Sequence, residues 1–114
     1  MFNTKPEQWV VVKIENPKEK DPFLRTIHKV FASWAGGYDS STKWKMNSGI
    51  DRITEDETAV KFYGYSGSCY ECKKGSYGTG LSYTAGILDK FINNAKDIGV
   101  SITILPEDTN WIEL

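Results

Sequence analysis

The chain has one histidine, His28, and two cysteines, Cys69 and Cys72, among 114 residues. That scarcity excludes much chemistry. A structural zinc site takes four ligands, so Cys69-Tyr70-Glu71-Cys72 is at most half of one, with His28 the only other soft ligand. No metal and no cofactor are expected. A serine or cysteine nucleophile needs an imidazole beside it, yet His28 sits in a strand-like pattern between Ile27 and Lys29. A redox Cys-x-x-Cys pair opens a helix whose N-terminus lowers the thiol pKa, whereas this one runs into Lys73, Lys74 and Gly75. No acid, base and nucleophile form a recognisable set, so a non-enzymatic protein is expected. No GxxxxGK[ST] or dinucleotide fingerprint is present.

Long apolar runs are also missing. No window approaches the eighteen apolar residues of a membrane span, and MFNTKPEQW lacks the basic and apolar regions of a secretory leader. A cytoplasmic protein with reduced thiols is the expectation. Charge of either sign is not in excess: the formal net charge is −1, which argues against duplex nucleic acid as a partner. Its distribution is uneven. Arg25, Lys29, Lys43, Lys45 and Arg52 face only Asp39 and Asp51 between positions 25 and 52, while beyond Gly75 two lysines face five acids. The middle of the chain thus carries a locally basic surface suited to phosphate.

What is abundant is aromatic residues, 13% of the chain, and ten glycines. A chain of this length buries roughly two thirds of the surface its unfolded form exposes, so residues 1–114 are read as a single α+β domain. Trp9 to Ile14 is a β-branched run bounded by Pro17 and reads as a buried strand. NPKEKDP is a charged connector. Residues 24–34 alternate as a second strand, AGGYDSST is a glycine-rich turn, and KWKMNSGIDRI returns as one strand with Gly49 marking a bulge or close approach. TEDET is a turn, and AVKFYGY is the next strand. These strands form an antiparallel meander.

Ile87, Leu88, Phe91, Ile92, Ala95 and Ile98 then recur at helical spacing. Ser82 or Thr84 caps the start of the predicted 84–98 helix, and Gly99 ends it. Val100, Ile102 and Ile104 alternate as a final strand. The helix is expected to pack on the sheet.

Residues 63–78, YGYSGSCYECKKGSYG, raise the functional question. Glycine lets backbone amides approach phosphate, serine adds hydroxyl donors, tyrosine supplies a stacking face and lysine supplies charge. The candidate ligand-binding set is Tyr63, Tyr65, Ser66, Gly67, Ser68, Tyr70, Lys73, Lys74 and Tyr77 from this stretch. Trp34, Gly36, Gly37, Tyr38, Lys43, Trp44, Lys45, Asn47 and Ser48 join it from the neighbouring hairpin. The chemistry fits a small anionic, base-bearing molecule of the cyclic or ADP-ribose type. Exposed aromatics on a short sheet also favour a homodimer or higher oligomer.

The segments FASWAGGY, WKMNSGI, FYGYSGSCYECKKGSYG and LPEDTNW together resemble a family of small accessory proteins carried by tailed bacteriophages, over Trp9 to Trp111. The family brings no activity that transfers residue by residue. The resemblance implies a counter-defence role in the host cytoplasm: a sponge that sequesters a nucleotide second messenger of bacterial immunity. The alternative is an inhibitor that binds a host defence protein through an exposed aromatic and glycine-rich surface.

Overall fold

The computed structural model describes residues 3–34, 43–79 and 82–114, apart from the side chain of Ser82. The strands are β1 (Asn3–Thr4), β2 (Gln8–Glu15), β3 (Thr26–Trp34), β4 (Lys43–Met46), β5 (Ile50–Glu55), β6 (Ala59–Gly64), β7 (Cys69–Lys73) and β8 (Ser101–Ile104), with one helix, α1 (Ser82–Asp97). Short 3-10 turns cover Pro22–Leu24 and Trp111–Glu113. The α+β class, the helix and the final strand agree with the sequence reading.

The strands expected in one meander are divided between two sheets, ordered β4-β3-β2-β8 (sheet I) and β1-β7-β6-β5 (sheet II). All neighbours are antiparallel except β1 and β7. The division occurs at Asn47–Gly49, inside the segment that reads as a single strand. Asn47 ends the pairing with β3 by donating its N–H to the Val30 carbonyl (3.2 Å) and accepting the Val30 N–H on Oδ1 (2.9 Å). Gly49 then takes φ +135°, a conformation L side chains rarely adopt, and the chain enters sheet II. The β-bulge comes later, between Ile50 and Arg52.

Period-2 alternation gives sheet I two apolar faces, so it forms the middle of three layers. Trp9, Val11, Val30 and Ala32 meet Val60, Phe62, Tyr70 and Cys72 of sheet II, closed at one end by Trp111. Val10, Val12 and Phe31 on the opposite face meet Leu88 of α1, with Ile87, Ile92 and Ile102 packed around them. Val11, Val12, Val30 and Val60 have no exposed surface, each contributing about 1.5–3 kcal/mol of burial.

The helix stripe is narrower than its periodicity suggests. Leu88 and Ala95 are buried, whereas Phe91 is 37% and Ile98 67% exposed. Gly99 ends the helix as expected: with φ +78°, its N–H bonds the Lys96 carbonyl while Val100 N–H reaches Ala95, a Schellman pair. Thr84 lies inside α1, two residues after its first residue Ser82, and its hydroxyl donates to the Thr79 carbonyl. No helix among the described residues is long and apolar enough to cross a membrane.

Candidate functional site

The stretch 63–78 is not one loop. Its first part is the turn joining β6 to β7, its middle is β7, and its last part is a second turn at the opposite end of that strand. Ser68 and Lys74 are six residues apart, about 20 Å along an extended chain. Between them, Tyr70 and Cys72 point into the core and are 1% and 0% exposed. Tyr70 therefore offers no stacking face, a correction to its place in the candidate set; the burial that removes it also raises its phenol pKa.

Tyr77 is likewise a structural pillar. Its hydroxyl accepts from Val11 N–H (3.1 Å) and donates to the Leu105 carbonyl, and its ring stands edge-on to Trp9 at 4.7 Å. Lys73 has an exposed side chain and a carbonyl that accepts from the Trp9 indole (2.8 Å). Lys74 is paired with Glu55 at 3.2 Å.

The β6–β7 turn is a different environment. Gly64 N–H bonds the Ser68 carbonyl (2.8 Å) and Gly67 N–H the Gly64 carbonyl (3.0 Å), with Gly67 at φ +90°. The turn docks on the Asn47–Gly49 corner. Tyr65 N–H reaches the Gly49 carbonyl (3.1 Å), Ser66 N–H reaches Ser48 Oγ (3.1 Å), and Ser48 Oγ donates to Ser66 Oγ (3.2 Å). Ser68 Oγ lies 3.5 Å from Ser66 Oγ. Three hydroxyls thus stand together, and a Cβ at Gly64 would lie 3.1 Å from both Ser48 Oγ and Ser68 Oγ. Tyr65 lies across Gly49 and remains 56% exposed.

Next to this turn is the outer face of sheet II. Because Ile53, Val60, Phe62, Tyr70 and Cys72 face the core, alternation places Arg52, Thr54, Lys61, Tyr63, Cys69, Glu71 and Lys73 outside. The Arg52 guanidinium lies 4.0 Å above the Tyr63 ring. Glu71 bridges Lys5 (3.7 Å) and Lys61 (3.8 Å). Lys5, Arg52, Lys61 and Lys73 against Glu71 leave this face cationic.

Lys61 and Lys5 were absent from the sequence candidates, and Arg52 was counted in the basic stretch but not in the binding set. Hairpin register was the available signal for Arg52 and Lys61: with Ile53 and Phe62 both inward, Arg52 falls opposite Tyr63 and Thr54 opposite Lys61. Lys5 joins the face only because β1 adds in parallel beside β7, and nothing local announces that.

The remaining candidates lie elsewhere. Lys43 and Lys45 pair with Trp34 and Ala32, while Trp44 pairs with Ser33 and turns to the helix side. Its ring stacks on Phe31 (5.6 Å, 15°) and meets Phe91 edge-on (5.3 Å). Trp34 is half-buried and donates its indole N–H to the Lys5 carbonyl (3.0 Å). Asn47 is 4% exposed, and its Nδ2 has no hydrogen-bond partner among the described residues. Lys43, Trp44 and Lys45 therefore stand on β4, the edge strand of sheet I, with Trp34 beside them at the end of β3. Gly36, Gly37 and Tyr38 lie outside the described residues.

Cys69 and Cys72 are free thiols. Three positions apart on a strand, they point to opposite faces with Cα atoms about 10 Å apart, too far for a disulfide. Burial pushes both thiol pKa values up, Cys72 strongly, whereas the Tyr63 hydroxyl partly offsets this at Cys69. Neither is a poised nucleophile. No group of three or more His, Cys, Asp and Glu side chains able to hold a metal occurs among the described residues.

Two concavities occur away from the serine turn. One of about 410 Å³ is lined by Glu15, Asn16, Arg25 and Ser101 without an aromatic wall. The other, about 240 Å³, has Trp9 and Trp111 beside Lys74, Glu55, Glu107 and Asp108; Lys74 is paired with Glu55, and the two remaining carboxylates repel an anion. No family model, curated protein or solved structure matches this chain.

Proposed function

We propose that the chain binds a small nucleotide-type signalling molecule at the serine turn and releases it unmodified. With the resemblance to small phage accessory proteins, this makes it a counter-defence sponge acting in the host cytoplasm. The observation that carries the reading is the convergence of Ser48, Ser66 and Ser68 hydroxyls in the turn that also holds the exposed Tyr65 ring. A phosphate would replace the mutual serine hydrogen bonds. A base would stack on the open side of Tyr65, a contact worth about 1–3 kcal/mol.

Binding without turnover fits the same geometry. Among the described residues the hydrogen-bond partners of the three serines are one another and backbone, so no base stands against them. A symmetric dimer would cover an open face and give the ligand a second wall. Calorimetry against a panel of cyclic dinucleotides and ADP-ribose derivatives tests the reading. Binding at micromolar affinity or better is expected, weakened at least tenfold by Ser66→Ala or Tyr65→Ala, with intact compound recovered after heat denaturation. No binding across the panel sinks the proposal, and hydrolysed product replaces the sponge with an enzyme.

The second reading, an inhibitor of a host defence protein, is favoured by Trp44 on the edge strand of sheet I and Phe91 of α1 against it, both 37% exposed.

A further inference from the structure

The edge of sheet I carries an alternation that the nucleotide site does not use. β4 pairs with β3 on one side only, so among the described residues its other row of backbone N–H and C=O groups is unpaired. Lys43 and Lys45 project to one side of the strand, and neither has an ion-pair partner among the described residues. Trp44 and Met46 project to the other, where Trp44 is held between Phe31 and Phe91 yet keeps 37% of its surface exposed. Lysines alone would protect an edge from self-pairing. A large aromatic left half-open between them is the opposite of protection.

We infer that β4 is a strand-addition site for an extended segment of a partner protein that alternates acidic and apolar residues. Its backbone completes the ladder, its carboxylates face Lys43 and Lys45, and its apolar side chains cover Trp44, Met46 and Phe91. The pleat demands this alternation: any added strand places successive side chains on opposite sides, one cationic and one apolar.

A second copy of this chain fits poorly. In a two-fold antiparallel β4–β4 pair, face-preserving registers place Lys43 opposite Lys45 or Lys45 opposite itself, setting like charges together. The other exposed strands offer no alternation of carboxylates either: β8 reads Ser-Ile-Thr-Ile, and Asp51 of β5 sits in the bulge. Charge complementarity therefore selects a different, acidic partner.

The test uses the full chain and two synthetic ten-residue peptides, one alternating Glu with Val and the other Lys with Val. The acidic peptide is expected to bind, to weaken at least tenfold on raising salt from 50 to 500 mM, and to protect the amides of residues 43–46 from exchange. The basic peptide is expected not to bind. Lys43→Glu with Lys45→Glu should reverse the preference, with circular dichroism confirming that the variant folds. Equal binding of both peptides, no binding of the acidic one, or no reversal in the folded variant overturns the assignment. So does a concentration-dependent dimer that Trp44→Ser dissolves.

Discussion

Gly49 is where the corner and the candidate site can be tested together. A Cβ at this position would lie 2.6 Å from Tyr65 Cε2, 2.7 Å from Cδ2 and 3.3 Å from Ile27 Cγ2, on a backbone at φ +135°. Gly49→Ala therefore carries two separable costs. Backbone strain at a positive φ is about 1–3 kcal/mol. The steric cost is smaller, because a ring that is 56% exposed can swing into solvent, losing only its apolar contact with the glycine, about 0.5–1 kcal/mol. The single variant should lose about 1.5–4 kcal/mol in urea unfolding. In a Tyr65→Ala background the same substitution should cost only the strain, so a double-mutant cycle should return a coupling of about 0.5–1 kcal/mol. Nucleotide affinity should fall with Gly49→Ala alone, since the displaced ring no longer offers its fixed face. A variant as stable as the parent would refute the positive φ, and zero coupling would refute the seating of Tyr65 on Gly49.

Leu88→Ala, which removes a side chain only 1% exposed, should cost about 2–5 kcal/mol, whereas Phe91→Ala should cost clearly less; equal losses in urea titrations would mean that the helix face is wrongly assigned. Cys72→Ser buries a hydroxyl in the core and should cost about 1–3 kcal/mol, while the protein stays folded and metal analysis of the parent finds no stoichiometric zinc; a metal ion per chain or per pair would reverse the reading of these thiols. Burial, with Lys13 adding and Glu15 opposing, holds the His28 pKa below its ordinary value of 6.5. The unfolded chain then binds the proton more readily, so the contribution of His28 is complete above pH 6.5 and is lost as pH falls towards the lower folded pKa; His28→Gln should flatten the stability profile there. Asp56 accepts from the N–H groups of Thr58 and Ala59 (both 2.8 Å), which lowers its pKa. That stabilisation is present above the ordinary carboxylate pKa and lost as pH drops through the folded one, and Asp56→Ala should remove it and loosen the β5–β6 turn.

Elements whose sequence pattern is local were legible. The helix was visible in its 87–95 spacing, its end in Gly99, and β2 in a run of three valines, because each is decided by residues a few positions apart. β7 was harder to see. Cys69 to Lys73 alternates inward and outward like any strand, but glycine and serine on both sides made it look like the middle of a loop. Its inward pair, Tyr70 and Cys72, belongs to types that are also common at binding sites. Periodicity could not decide between core and ligand for them; only the docking of sheet II on sheet I does.

The corner was hidden for a related reason. Lys43–Met46 and Ile50–Glu55 both alternate, so the chain reads as one strand unless Asn47 is known to spend its amide oxygen on Val30, seventeen residues away. The same three corner residues build the candidate site. Asn47 ends one sheet, Ser48 supplies the hydroxyl that meets Ser66, and Gly49 supplies the carbonyl for Tyr65 and the flat seat for its ring. Had the strand run on through a single sheet, Ser48 would have projected from a ladder rather than into the β6–β7 turn. Splitting the sheets and assembling the hydroxyl cluster are therefore one structural event, which is why reading KWKMNSGIDRI as one strand could not show how Ser48 meets the β6–β7 turn.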